Sequence, residues 1–157
     1  MRALLLIPIF LLHGLFTHAQ NSSSENGNYK IAVGVKLWDG AGISYKQFLS
    51  DKNAAEILGY FYYKGFRLTG LYQYYGNVTN VEGLKWYLGA GAHMGFYNTL
   101  NGKSRSTVFG IDGVAGIDYK FGNAPVDLSL DWQPGFEFAS GFGFSGWGGL
   151  GIRYTLK

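Results

Sequence analysis

The stretch Val126-Asp127-Leu128-Ser129-Leu130-Asp131-Trp132-Gln133-Pro134-Gly135-Phe136-Glu137-Phe138 decides the fold. Val126, Leu128, Leu130, Trp132, Phe136 and Phe138 fall on one parity, and Asp127, Ser129, Asp131, Gln133 and Glu137 fall on the other. A period of two marks a strand with one apolar and one polar face. A helical period would mix the carboxylates with the apolar residues. The stretch exceeds the about five or six residues usual for a strand in a soluble domain. It matches a membrane-crossing strand, which needs roughly 9–11 tilted residues. Such a strand needs neighbours on both sides, because lipid cannot satisfy the N–H and C=O groups of an open sheet edge. The chain is therefore expected to close into a barrel.

The length of 157 residues suggests one domain. The net charge of +3 comes without any run of Lys or Arg, so nothing points to a nucleic-acid surface. There is no Cys, which excludes a disulfide framework, thiolate chemistry and a lipid-modified cysteine at a mature N-terminus. Residues 1–19 read as a cleaved signal peptide: Arg2 is the charged start, 3–16 the apolar run, and Thr17-His18-Ala19 the small-residue cleavage site. Residues 20–28 are polar and aperiodic, a flexible lead-in. Residues 29–157 form the barrel domain.

Eight strands are expected, over 29–37, 42–49, 55–63, 66–75, 84–97, 107–121, 126–138 and 146–156. Asp39-Gly40 and Lys64-Gly65 mark tight turns between strands. The Tyr60-Phe61-Tyr62-Tyr63 run blurs the faces of the third strand, and a place in an interfacial girdle is the expected role of that run. The count is even, the strands are consecutive and no helical period follows residue 19. The fold class is thus all-β, an up-and-down antiparallel eight-stranded transmembrane β-barrel preceded by a signal peptide.

Alternation alone does not say which face is outside. Gly34, Gly89, Gly91, Gly95, Gly110, Gly116, Gly149 and Gly151 gather on the polar parity, where a narrow interior leaves little room. Tyr29, Trp38, Tyr74, Trp86, Tyr97, Tyr119 and Tyr154 stand near strand ends, as in interfacial girdles. Charges on the polar parity nearly cancel, which suits an interior where an unpaired charge is costly. The sequence also stops on its last strand, as expected of a barrel without a further domain. These features put the polar face inside. The expected lumen charge network comprises Lys30, Lys36, Arg67, Asp112, Asp118, Asp127, Asp131, Glu137 and Arg153, with Arg153 or Arg67 the expected partner of Asp131. Lys46, Glu56 and Lys120 share the polar parity. His93, the single His after residue 19, is expected in the lumen between Gly91 and Gly95, as a hydrogen-bonded interior group.

The ending Gly151-Ile152-Arg153-Tyr154-Thr155-Leu156 resembles the C-terminal assembly signal of Gram-negative outer-membrane barrels, with Leu156-Lys157 where the usual terminal aromatic stands. Gly151, Tyr154 and Leu156 carry that likeness. More broadly, 110–132 and 150–155 resemble the small eight-stranded outer membrane β-barrel domain family, the OmpA/OmpX type without a periplasmic domain. The resemblance implies location in the outer membrane, contact with its lipid, and handling by the barrel assembly machinery during biogenesis. It names no ligand or protein partner, and no nucleic acid is expected.

The resulting expectation is a non-enzymatic barrel with a filled lumen and a structural or surface-interaction role, with no catalytic residue, no cofactor and no metal. One alternative is a lipid-modifying barrel enzyme. Such enzymes use a His, a Ser and an acidic residue facing the membrane, whereas His93 is expected to point inward. The other is a soluble lipocalin-like carrier, which needs the two faces exchanged. An even strand count puts both termini on one side, the periplasm, and 38–41, 64–65, 98–106 and 139–145 on the other.

Overall fold

The computed structural model describes residues 29–63, 65–98, 105–138 and 143–156. The expected signal peptide and lead-in, Lys64, Lys157 and most of the loops at 98–106 and 139–145 lie outside the described residues. Eight strands follow in order: β1 (Ile31–Leu37), β2 (Ala41–Phe48), β3 (Asn53–Tyr62), β4 (Gly65–Asn77), β5 (Leu84–Asn98), β6 (Arg105–Lys120), β7 (Val126–Glu137) and β8 (Gly143–Leu156). Each pairs antiparallel with the next, and β1 pairs antiparallel with β8, so the sheet has no edge.

Register shows how the sheet closes. From Thr155 the inward-facing partners run Ala32, Lys46, Glu56, Leu71, Gly91, Asp112, Gly135 and Ser145. One circuit returns to β8 ten residues from where it began. A stagger of this kind gives strands a tilt of about 35–45° and an interior that side chains can fill. The β6–β7 ladder is interrupted between the Asp112↔Gly135 and Ala115↔Trp132 pairs. Pro134 sits in that gap and has no N–H to donate.

The strand ends differ from the sequence pattern where glycine hides the alternation. β4 runs on to Asn77 because Gly76 pairs with Trp86, whose indole occupies the space a Cβ at Gly76 would need. β8 begins at Gly143, where its glycine-rich start continues to pair with β7 through Phe136↔Phe144.

Each strand sends one aliphatic residue outward at mid-length: Val35, Ile43, Ile57, Leu68, Leu88, Ile111, Leu130 and Ile152, with exposures between 42% and 59%. An apolar belt this complete has no use in water and suits lipid. Tyr72, Tyr74, Trp86, Tyr119 and Tyr154 flank the belt toward the end that holds the termini. Trp38, Phe61, Tyr63, Phe96, Phe136, Phe138 and Phe144 flank it at the other.

Two aromatics near strand ends turn inward, Tyr29 against the girdle expectation and Tyr97 as its polar-face parity in the fifth strand implies. Tyr29 is buried and donates to Asp127 at 2.8 Å, and Tyr97 reaches Glu137 at 3.4 Å. Both sit at or beyond strand termini, where the ring can curl over the barrel mouth while its hydroxyl finds an interior carboxylate. The third strand also resolves its ambiguity: Phe61 and Tyr63 are exposed, whereas Tyr60 is buried and Tyr62 touches Trp147 inside the mouth.

This facing predicts unequal tolerance of two adjacent substitutions. Leu130→Arg places a charge in the belt, at a cost of about 2–4 kcal/mol, and should block folding into lipid vesicles or markedly lower stability. Asp131→Asn keeps a hydrogen-bonding amide inside and should cost less. Refolding into vesicles, scored by heat-modifiable gel migration, measures both. Equal tolerance would mean that inside and outside are exchanged.

Candidate functional site

The polar parity of all eight strands converges on the barrel axis in two clusters. The larger is built on Arg153 of β8. Its guanidinium donates to Asp127 of β7 at 2.8 Å and to Glu56 of β3 at 3.2 Å, and its Nε donates to Ser44 of β2 at 3.1 Å. Glu56 also accepts from Ser44 at 2.5 Å and from Gln73 at 2.7 Å. Lys46 lies 3.4 Å from Asp118 and 3.8 Å from Glu56, with its ammonium 4.8 Å from the centre of the Tyr87 ring. Lys36 pairs with Asp131 at 2.6 Å, and Tyr87 donates to the same oxygen. Each charge has been taken from water, so its stability rests on these partners.

The smaller cluster lies toward the mouth opposite the termini. Arg67 donates to Asp112 Oδ1 at 2.5 Å, while His93 Nδ1 is 2.9 Å from Asp112 Oδ2. The same Nδ1 lies 3.0 Å from Arg67 Nη2; the carboxylate can only accept and the guanidinium can only donate, so Nδ1 serves Asp112 when protonated and Arg67 when not. Arg67 stacks its guanidinium carbon 4.7 Å from the centre of the Trp147 ring. Glu137 is looser, 3.7 Å from Arg67 Nη1 and 3.9 Å from His93 Nε2.

Glycine makes room for these groups. A Cβ on Gly116 would sit 2.6 Å from Asp131 Cβ and 2.8 Å from the Tyr87 ring. A Cβ on Gly135 would sit 2.6 Å from Asp112 Oδ1 and 3.2 Å from Arg67 Nη2. Gly116 and Gly135 are therefore part of the floor on which the long interior side chains lie.

Of the residues singled out from sequence, Lys36, Arg67, Asp112, Asp118, Asp127, Asp131 and Arg153 come together in the interior, and Glu137 stands at its upper margin. His93 is interior too. Lys30 is placed differently: it is exposed at the rim. It precedes the first strand residue, and its neighbour Tyr29 takes the inward position instead. The partner of Asp131 is Lys36, not Arg153 or Arg67, because the antiparallel register brings β1 and β7 to either side of β8. In the closing stretch Gly151 faces inward against Arg153, while Tyr154 and Leu156 face outward at 55% and 44% exposure. Sequence reading placed Lys46 and Glu56 on the polar face without giving them a role. It missed Ser44, Gln73 and Tyr75 as partners, although parity with Lys46 and Arg67 would have found them. Lys120 is turned away to the rim, where its ammonium donates to the carbonyls of Phe121 and Ala124.

Two cavities open at the ends. At the terminus end a vestibule of about 1300 Å³ reaches down to Tyr75 and Asp118. At the other end a cup of about 320 Å³ reaches Glu137, Ser145 and Trp147. Between them stand Arg67, Arg153, Lys36, Lys46, Tyr75 and Tyr87, all of them buried. Among the described residues no group of three His, Cys, Asp or Glu could hold a metal ion.

No protein-family model matches the chain, and no curated protein matches it. Solved structures do. The N-terminal β-barrel domain of Pseudomonas aeruginosa OprF superposes with a TM-score of 0.60 at 20% identity, over 79% of this chain and 93% of that one. Neisserial surface protein A (NspA) superposes with a TM-score of 0.52 at 19% identity, over 80% of this chain and 94% of that one. The fold is that of the small eight-stranded outer-membrane barrels. The barrel's closure, its belt and its polar interior agree with that assignment.

The Arg153 cluster predicts a large, asymmetric response to substitution. Arg153→Met leaves Asp127 buried without its cation and Glu56 with only the more distant Lys46, and should cost about 3–5 kcal/mol. Neutralising both carboxylates in the same background, as Glu56→Gln with Asp127→Asn, should recover part of that loss. Urea titration of vesicle-refolded protein reads both. A loss below about 1 kcal/mol for Arg153→Met would show that the pairs do not hold the interior together.

Proposed function

We propose that the chain is a resident of the outer membrane with a filled, non-conducting lumen and a structural, non-enzymatic role. The observation that carries this reading is the set of six large buried side chains, Arg67, Arg153, Lys36, Lys46, Tyr75 and Tyr87, stacked along the lumen between the two end cavities. An eight-stranded interior is only just wide enough for side chains, and these use the width from several strands at once. The apolar belt and the fold shared with OprF and NspA support the membrane setting.

The connections favour a structural role over one of surface recognition. At the end away from the termini, successive strands are separated by 38–40, 63–64, 99–104 and 138–142. At the terminus end they are separated by 49–52, 78–83 and 121–125. Neither end has a connection long enough to build a domain of its own. An even strand count puts both termini on one side, and placing that side in the periplasm and the connections 38–40, 63–64, 99–104 and 138–142 outside belongs to this proposal. Passage through the barrel assembly machinery, using Gly151, Tyr154 and Leu156, belongs to the same proposal.

A lipid-modifying activity finds less support. His93 points inward and is held between Asp112 and Arg67. A substrate acyl chain on the outer wall would meet the apolar belt rather than this imidazole. The soluble-carrier alternative meets the same belt on the face it would expose to water.

Planar-bilayer recording tests the proposal. Purified barrel should give no steady single-channel conductance, and Arg153→Gly combined with Tyr87→Gly should introduce conducting events by emptying the middle of the lumen. Stepwise conductance from the unaltered protein would contradict a filled lumen.

A further inference from the structure

The cup at the mouth opposite the termini has features that the proposed structural role does not use. Its walls are Tyr62, Tyr63, Tyr97 and Trp147, and its acidic groups are Glu137 and Asp39. Edge-to-face contacts hold the rings: Tyr62 lies 5.2 Å from Trp147 and 5.7 Å from Tyr97 between ring centres. Tyr60 braces Trp147 from within the barrel at 5.5 Å. Tyr62, Tyr97 and Trp147 line the opening instead of joining the lipid belt.

Asp39 and Glu137 line the cup, and Glu137 and Asp112 lie against Arg67. Arg67 is committed to Asp112 at 2.5 Å. Its 3.7 Å separation from Glu137 exceeds the roughly 2.7–2.9 Å of a charge-assisted hydrogen bond. Glu137 therefore presents much of its negative charge to the cup, where its side chain is 20% exposed. Ser145 adds a buried hydroxyl with no hydrogen-bond partner among the described residues.

Aromatic rings with a nearby carboxylate attract a weakly hydrated cation through the ring quadrupole and a direct charge. Arg67 already shows that the Trp147 ring accepts a cation on one face. A hard metal ion is a poorer fit, since it requires six or so oxygen ligands and the walls supply mostly rings. The cup volume of about 320 Å³ suits a small molecule.

We infer that this cup binds a small organic cation carrying a quaternary or alkylated ammonium group, with its charge against Glu137 and its carbon shell against Tyr62, Tyr97 and Trp147. Such a ligand reaches the cup from the side opposite the termini, and its binding leaves the buried lumen closed.

The test is calorimetric titration of the refolded full barrel with choline and, separately, with dimethylbutanol, its neutral carbon isostere, and with calcium chloride. Saturable binding of choline alone is expected. Glu137→Gln should weaken choline by about tenfold or more, and Tyr62→Leu should weaken it as well. Heat-modifiable migration confirms that each variant is folded; Glu137→Gln, a near-isosteric change at the margin, carries the test if Tyr62→Leu does not fold. Absence of saturable choline binding, equal binding of the isostere, unchanged affinity in Glu137→Gln, or binding of calcium in place of choline would each overturn the inference.

Discussion

The constraint on which everything else depends is the hydrogen-bonding demand of the backbone in a medium that offers no partners. In lipid, an unpaired N–H or C=O costs several kcal/mol, on the order of a large part of a domain's net stability. The β1–β8 ladder, running from Ile31↔Leu156 to Leu37↔Leu150, removes the last edge. It also brings the two ends of the barrel domain together, with Lys30 N donating to Leu156 O at 3.0 Å. Once the sheet closes on itself, the pleat sends alternate residues to a lipid-like outside and a narrow inside, and the chemistry of each face follows.

The inside is then a polar core enclosed by an apolar wall, the reverse of a soluble domain. Hydrophobic burial is confined there to small patches such as Ala54, Leu71 and Val114 against Tyr75 and Tyr87, and ion pairs and hydrogen bonds fill the rest. Such pairs hold only if each charge keeps its partners. The structure meets this with shared acceptors: Glu56 takes donors from β2, β4 and β8, and Asp131 takes donors from β1 and β5. Sharing ties non-adjacent strands across the lumen, which backbone ladders between neighbours cannot do. Glycines such as Gly116 are the structural counterpart, since the space above them is filled by Tyr87 and Asp131.

Most of this order was legible in the sequence because a strand's period of two survives in the side chains. β7 was readable end to end, from Val126 to Glu137, since every inward residue except Gly135 is polar and every outward one apolar. Legibility failed where that contrast is lost. Tyrosine has an apolar body and a polar tip, so Tyr29, Tyr60 and Tyr97 could be assigned to either face until their partners were seen. Glycine carries no face at all, so the start of β8 was read three residues late. Partner choice was the least legible: parity says that Asp131 points inward, but only register says that Lys36 meets it. The aromatic cup also required three dimensions, since Tyr62, Tyr97 and Trp147 come from three strands and meet only at the mouth.

The central claim is that the barrel is polar within and apolar without, and two tryptophans report on it directly. Trp132 stands on the outer wall with 56% exposure, whereas Trp147 packs inside the mouth against Tyr60 and Tyr62. Single-tryptophan variants retaining one or the other can be refolded into vesicles of lipids brominated along the acyl chains, and their fluorescence compared with that in unbrominated vesicles. The account predicts strong quenching of Trp132 and little quenching of Trp147. Quenching of Trp147 equal to or greater than that of Trp132 would contradict it.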